Sequence, residues 1–168
     1  LTVTPASGTP VNCVFTAVAT TGSCTFSPAL VNQTYSVALK QTINSVDSAA
    51  ATLASVVINT TTIATPATPD LVDGSDLGTS STDNTTSDNT PTFTVAGSFT
   101  GTAVLTASKA GSTSVSCTLS SGTCTLTTLG DGAWVVTVTD TDSSGNSATS
   151  TGLTVTIDAT APTAPSSL

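Results

Sequence analysis

The stretch Asp131-Gly132-Ala133-Trp134-Val135-Val136-Thr137-Val138-Thr139-Asp140 decides the fold class. Trp134, Val136 and Val138 alternate with Val135, Thr137 and Thr139. A period of two puts one set of side chains on a buried face and the other in water, the pattern of an antiparallel sheet strand. Leu153, Val155 and Ile157 alternate with Thr154 and Thr156 in the same way. Turn formers bound these runs: Gly130-Asp131-Gly132 before the first, and Asp142-Ser143-Ser144-Gly145-Asn146 between the two. No segment carries a helical period. Ala49 to Leu53 is alanine-rich, but its place in an internal repeat marks it as the start of a strand.

That repeat organises the chain. Tyr35 to Pro66 overlies Trp134 to Pro165 without a gap. Tyr35 falls on Trp134, Leu39 on Val138, Val56 on Val155, Ile58 on Ile157 and Asn59 on Asp158. Upstream, Cys24-Thr25-Phe26 matches Cys124-Thr125-Leu126, and Cys13 matches Cys117. A period of about 100 residues is the size of one β-sandwich domain. The second copy runs from about Thr68 to Thr160. The first starts at Leu1-Thr2-Val3, which corresponds to the strand around Ala103 to Leu105. It has nothing to match Asp70 to Phe99, so it lacks its opening strands, including any partner of Thr92-Phe93-Thr94-Val95.

Composition agrees and excludes much chemistry. Thr and Ser make up roughly two-fifths of the 168 residues. Thr and Val favour strands, whereas Gly, Asn, Asp and Ser favour turns. Only 4% of residues are aromatic, so the core is built from Val, Leu, Ile and Ala. The net charge of −8 repels nucleic acid and anionic membranes. No apolar run is long enough to insert into a membrane. The chain begins at Leu1 with no signal-like region, which reads as a mature protein or an excerpt of a longer one. Without His there is no Ser-His-Asp triad or imidazole metal site, and without Arg no bidentate anion clamp. No carboxylate pair sits in a context that would shift one pKa, so an enzyme is not expected.

The four cysteines form two local pairs in equivalent positions. Cys117 and Cys124 flank Ser120-Ser121-Gly122, a hairpin turn, and share the parity of core-facing neighbours. Cross-strand residues at non-hydrogen-bonded sites lie about 4.5 Å apart at Cα, close enough to bridge. Disulfides Cys13–Cys24 and Cys117–Cys124 are therefore expected, and they imply an oxidising, extracellular compartment. Two thiols per module are too few for a zinc site.

Several motifs together resemble the bacterial immunoglobulin-like repeats of large surface adhesins. They are Thr90 to Val95, Asp131 to Asp140, Ser144-Gly145-Asn146-Ser147, and Leu153 to Asp158 followed by Ala161-Pro162. The resemblance covers nearly all of the second copy and the latter half of the first. It implies tandem immunoglobulin-like antiparallel β-sandwiches, the first lacking its opening strands. The boundaries are an incomplete domain over 1–66, a complete domain over 67–160 and a linker to a following module over 161–168. It also implies calcium at module junctions. In such a sandwich the loop between the last two strands lies at the end where the chain enters. Asp140, Asp142 and Asn146 would then face the linker that carries Asp70, and Asp158 would face the next module. These five are the candidate calcium ligands, since hard oxygens on turns suit that ion. The plainer reading is that the aspartates form turns by bonding their own backbone. The first copy's loop Thr42 to Asp47 has lost the Gly and most of the acids.

The function expected is a non-enzymatic structural module of an extracellular adhesin stalk or cell-surface fibre. Its partners would be neighbouring immunoglobulin-like modules or identical subunits, with strand addition completing the first domain. The alternative is a carbohydrate- or ice-binding module using aromatic rings or a flat Thr array. Against it, Trp134 and Tyr35 share a core-facing strand position, and Thr is the ordinary outward residue of a strand.

Overall fold

The computed structural model describes residues 1–16 and 21–164, and every regular element among them is a strand. Pro165 and the rest of 165–168 lie outside the described residues. The chain divides into two compact units, Leu1–Thr61 and Thr62–Leu168. Residues 62–66 therefore go with the second unit.

In the first unit the strands are β1 (Thr2–Pro5), β2 (Val11–Asn12), β3 (Gln33–Leu39), β4 (Thr42–Ile43), β5 (Val46–Asp47) and β6 (Ala51–Ile58). In the second they are β7 (Asp70–Leu71), β8 (Thr85–Thr86), β9 (Thr92–Thr94), β10 (Thr102–Ser108), β11 (Val115–Thr118), β12 (Thr123–Thr125), β13 (Gly132–Thr141), β14 (Ser147–Thr149) and β15 (Leu153–Ile157).

The second unit is a two-sheet sandwich. One sheet has the order β11-β10-β13-β15-β8, with β14 added on β13; the other has the order β12-β9-β7. The alternation read from β13 is realised: Trp134, Val136 and Val138 are buried and Val135 is exposed. Their partners across the sandwich are Leu71, Phe93 and Val95 from the opening strands and Leu126 and Leu129 after β12. Fully burying each such side chain contributes about 1.5–3 kcal/mol. Gly152 is required where β14 passes into β15, because a Cβ there would stand 2.7 Å from Val135 Cγ1.

The first unit keeps only part of this plan. Its main sheet is β2-β1-β3-β6, and β4-β5 forms a small hairpin whose turn holds Asn44 and Ser45 at positive φ. Its core is Val3, Tyr35 and Val37, with Leu1, Val11, Phe26, Leu30 and Ile58 half-buried around it. Tyr35 Oη donates to Val31 O at 3.1 Å, and Trp134 Nε1 donates to Gly130 O at 2.8 Å. The two rings thus anchor to the same carbonyl position, four residues back in each copy. Among the described residues nothing in the first unit corresponds to β7, β8 or β9.

The structure corrects three details of the sequence reading. Val3 pairs with Val37, as Ala107 pairs with Val136, so β1 sits two residues later on β10 than the Ala103–Leu105 match suggests. A bulge between Tyr35 and Val37 sets Leu53 opposite Val37, where Leu153 stands opposite Val136; the gapless alignment puts Ala54 there. Finally, β11 and β12 are not a hairpin ladder. Beyond the turn, with Ser121 and Gly122 at φ 51 and 79, β11 joins β10 and β12 joins β9. Cys117–Cys124 therefore links the two sheets, with Cα atoms 6.1 Å apart. Parity of burial is the same whether two strands share a sheet or face each other, which is why the sequence pattern does not separate the cases.

Candidate functional site

Four of the second unit's nine aspartates, Asp131, Asp140, Asp142 and Asp158, stand at the two ends of β13. At the far end, β13 delivers Asp140 opposite Ala103, where it is 2% exposed. Its carboxylate accepts from Thr100 N at 2.7 Å, Thr100 Oγ1 at 2.9 Å and Gly101 N at 3.1 Å. A Cβ on Gly101 would fall 2.0 Å from Thr141 O, so only glycine lets this connection close against β13. Asp140 thus clamps the passage from β9 in one sheet to β10 in the other.

Two residues on, Asp142 folds the β13–β14 turn around itself. It accepts from Ser144 N at 2.8 Å, Asn146 N at 2.9 Å and Asn146 Nδ2 at 2.9 Å. The Asn146 side chain, helped by the backbone N–H groups, holds the Asp142 carboxyl below the usual carboxylate range. Asp70 is exposed on β7, opposite Thr94. Asp158 lies at the other end of β13, because Gly132 pairs with Ile157; its side chain is exposed and its N–H donates to Thr86 O. The five candidate ligands therefore divide into Asp140, Asp142 and Asn146 at one end of β13, Asp158 at the other, and Asp70 on β7. Calcium needs free oxygen lone pairs from several ligands at 2.3–2.6 Å. Here Asp140 and Asp142 accept donors of the protein itself, and no three His, Cys, Asp or Glu among the described residues are placed to share a metal ion. As placed, these residues do not fit a resident calcium.

The sequence reading passed over Asp131, which does at the near end what Asp140 does at the far one. Its carboxylate accepts from Ala159 N at 2.9 Å and from the Thr160 hydroxyl. Those bonds, the Thr160 hydroxyl foremost, hold its carboxyl below the usual range, with the Lys109 charge assisting. Lys109 donates to Asp131 O at 2.6 Å and stands 5.0 Å over the Trp134 ring. The clamp fastens the chain leaving β15. The available signal was the Asp131-Gly132 pair ahead of a strand; Gly132 takes φ +119, which glycine alone adopts freely.

The acid-rich stretch between β7 and β9 is irregular but pinned. The Thr86 hydroxyl donates to Ser75 O at 2.5 Å and accepts from Leu77 N and Asp88 N. Ser75 Oγ accepts from Thr92 N, and the buried Asp76 accepts from Asn84 N through Oδ2. Asp76 Oδ1 is buried without a protein partner. Asp83 and Asp88 each accept the N–H two residues on, as turn-forming aspartates do. Burial pushes the Asp88 carboxyl up, but bonds from Thr90 and Ser75 outweigh it and hold the group low. These links span up to 17 residues, which no local pattern reveals.

Among the described residues nothing at the surface amounts to a ligand platform. A shallow cleft of about 340 Å³ runs between 64–67 and 96–99, and its one charged lining residue is the buried, fully engaged Asp140. Every aromatic ring is buried or half-buried. Outward hydroxyls pair across strands, Thr139 with Thr149 and Thr106 with Ser116, both at 2.9 Å. All four cysteines are bridged, Cys13 to Cys24 and Cys117 to Cys124.

The second unit is therefore an immunoglobulin-like sandwich whose polar residues are used to hold its own strands. The family model described as bacterial Ig-like domain matches residues 62–159, and the chain belongs to that family. No curated protein matches it.

Proposed function

We propose that this chain is a structural spacer of an extracellular adhesin stalk or cell-surface fibre, without catalytic activity. The observation that carries the reading is the parallel pairing of β8 with β15. Strand β8 is the second strand of the second unit, after β7, and β15 is its last. Tension on the two ends would pull them in opposite directions and load Thr156 N–Asn84 O (2.8 Å) and Asp158 N–Thr86 O (2.9 Å) in shear. Bonds loaded in shear must yield together, whereas a hairpin pulled open loses them singly. The inter-sheet disulfide and the end clamps of Asp140 and Asp131 support the same purpose. The fully bridged cysteines support an oxidising, extracellular setting. Buried rings and paired hydroxyls leave the carbohydrate- or ice-binding alternative without an observation in its favour. Its partners on this reading are neighbouring modules of the same kind.

Single-molecule pulling through the ends of the second unit tests the mechanical claim. Thr156→Pro removes the N–H given to β8 while sparing the pairing of β15 with β13. It should lower the unfolding force markedly; an unchanged force would reject a shear-carrying role.

A further inference from the structure

The chain that leaves the last strand is fastened in both units, by different residues at one place in the repeat. In the second unit the Asp131 carboxylate accepts from Ala159 N at 2.9 Å and from the Thr160 hydroxyl. Carried upstream at the same spacing, the repeat puts Asn32 on Asp131; downstream it puts Thr60 on Ala159 and Thr61 on Thr160. In the first unit Asn32 Oδ1 accepts from Thr60 N at 2.8 Å and from Thr60 Oγ1 at 2.7 Å, and Asn32 Nδ2 donates to Thr61 Oγ1 at 3.0 Å. Strand pairing makes the match structural as well: Gln33 stands opposite Ile58 as Gly132 stands opposite Ile157.

The core holds the residue ahead of each fastening side chain. Tyr35 Oη donates to Val31 O and accepts from Val31 N at 3.0 Å, next to Asn32. Trp134 Nε1 donates to Gly130 O, next to Asp131. Both rings are buried, and a packed core allows a ring little movement. Ordering a free chain segment costs backbone entropy, which a single exposed bond does not offset. Here the leaving residues receive two or three bonds from one side chain whose own loop is tied to the core.

We propose that Asn32 and Asp131 are linker-orienting clamps built into each module: they make the chain as far as Thr61 and Thr160 part of the module, so that it leaves in one direction and bends only beyond them. Amide and carboxylate are interchangeable in this role, because the shared element is one oxygen that meets the N–H two residues past Ile58 or Ile157. The clamp needs no ion. It serves any string of such modules, whether or not that string is a stalk.

The test is backbone nitrogen relaxation on the full chain with its disulfides intact, read at the amides of Thr60, Thr61, Ala159 and Thr160. In the parent chain their order parameters should be about 0.85, as in rigid backbone. Asn32→Ala and Asp131→Ala should each lower the pair in the same unit below about 0.6 and leave the other pair unchanged. Asn32→Asp and Asp131→Asn should keep all four near the parent values, a rescue that general destabilisation does not give. Tyr35→Phe keeps the ring but removes the hydroxyl. It should loosen Thr60 and Thr61, although that hydroxyl bonds to Val31 and Gln33 and to neither of them. Unchanged chemical shifts in β3 and β13 show that the variants are folded. Order parameters that stay near 0.85 in the alanine variants would overturn the clamp. Loss of order in the exchanged variants would overturn the equivalence of Asn32 and Asp131, and rigid Thr60 and Thr61 in Tyr35→Phe would overturn the part given to the core.

Discussion

Asp140 shows how much of this molecule turns on single buried acceptors. Three donors converge on its carboxylate, two of them backbone N–H groups of the β9–β10 connection. Asp140→Asn replaces one acceptor oxygen by an N–H₂ aimed at another donor. It should cost the second unit about 3 kcal/mol, read as a lower urea midpoint with an unchanged slope. A loss under about 0.5 kcal/mol would show that the carboxylate is solvated instead. Asp131 and Asp142 give a pH dependence. Their folded pKa values lie below that of an ordinary carboxylate. The folded state thus binds protons less readily than the unfolded one, so their contribution is present above about pH 4 and lost as pH falls through the folded values. Stability should be flat from pH 7 to 5 and decline below about pH 4, less steeply in Asp131→Asn. At this scale the sequence revealed little. Which Asp would be buried depends on long-range pairing of β13 with β10 and on the Gly101 turn, and neither leaves a local mark.

At the scale of elements, the strands of the second unit were legible because alternation is a direct image of burial. Trp134 and Tyr35 read correctly as core residues for that reason. The misreading of β11–β12 as one hairpin came from the same rule, since a turn between two alternating runs looks alike whether the strands stay paired or part into facing sheets. The disulfide between them makes the difference measurable. Closing a loop of about 8 residues should add about 2.5 kcal/mol. The double variant Cys117→Ser with Cys124→Ser should lose that much and release β12, whose only strand ladder among the described residues is with β9 and which otherwise meets the β11 side through the Ser120–Thr123 bridge. Amide exchange in β12 should rise while β10 and β13 remain protected; equal acceleration throughout would mean that the link secures the whole sandwich rather than one edge.

For the whole molecule, the period near 100 residues made the two units visible and predicted which would be incomplete. The consequence for packing was legible only in outline. Among the described residues, eight large apolar side chains of the first unit, from Val14 to Val57, stand exposed, against Leu77 and Val135 in the second. The fate of the calcium candidates was not legible, because spacing gives the position of an oxygen and not what it already binds. With Asp140 and Asp142 engaged, millimolar calcium or a chelator should leave the thermal midpoint of the second unit unchanged; a rise of several degrees with calcium would contradict that assignment. The central claim is that one strand plan is closed in the second unit and open in the first. Residue-resolved hydrogen exchange on the oxidised chain tests it most directly. Amides of β13 and β15 should exchange at least about 1000-fold more slowly than those of β6. Protection of β6 equal to that of β15 would contradict the account.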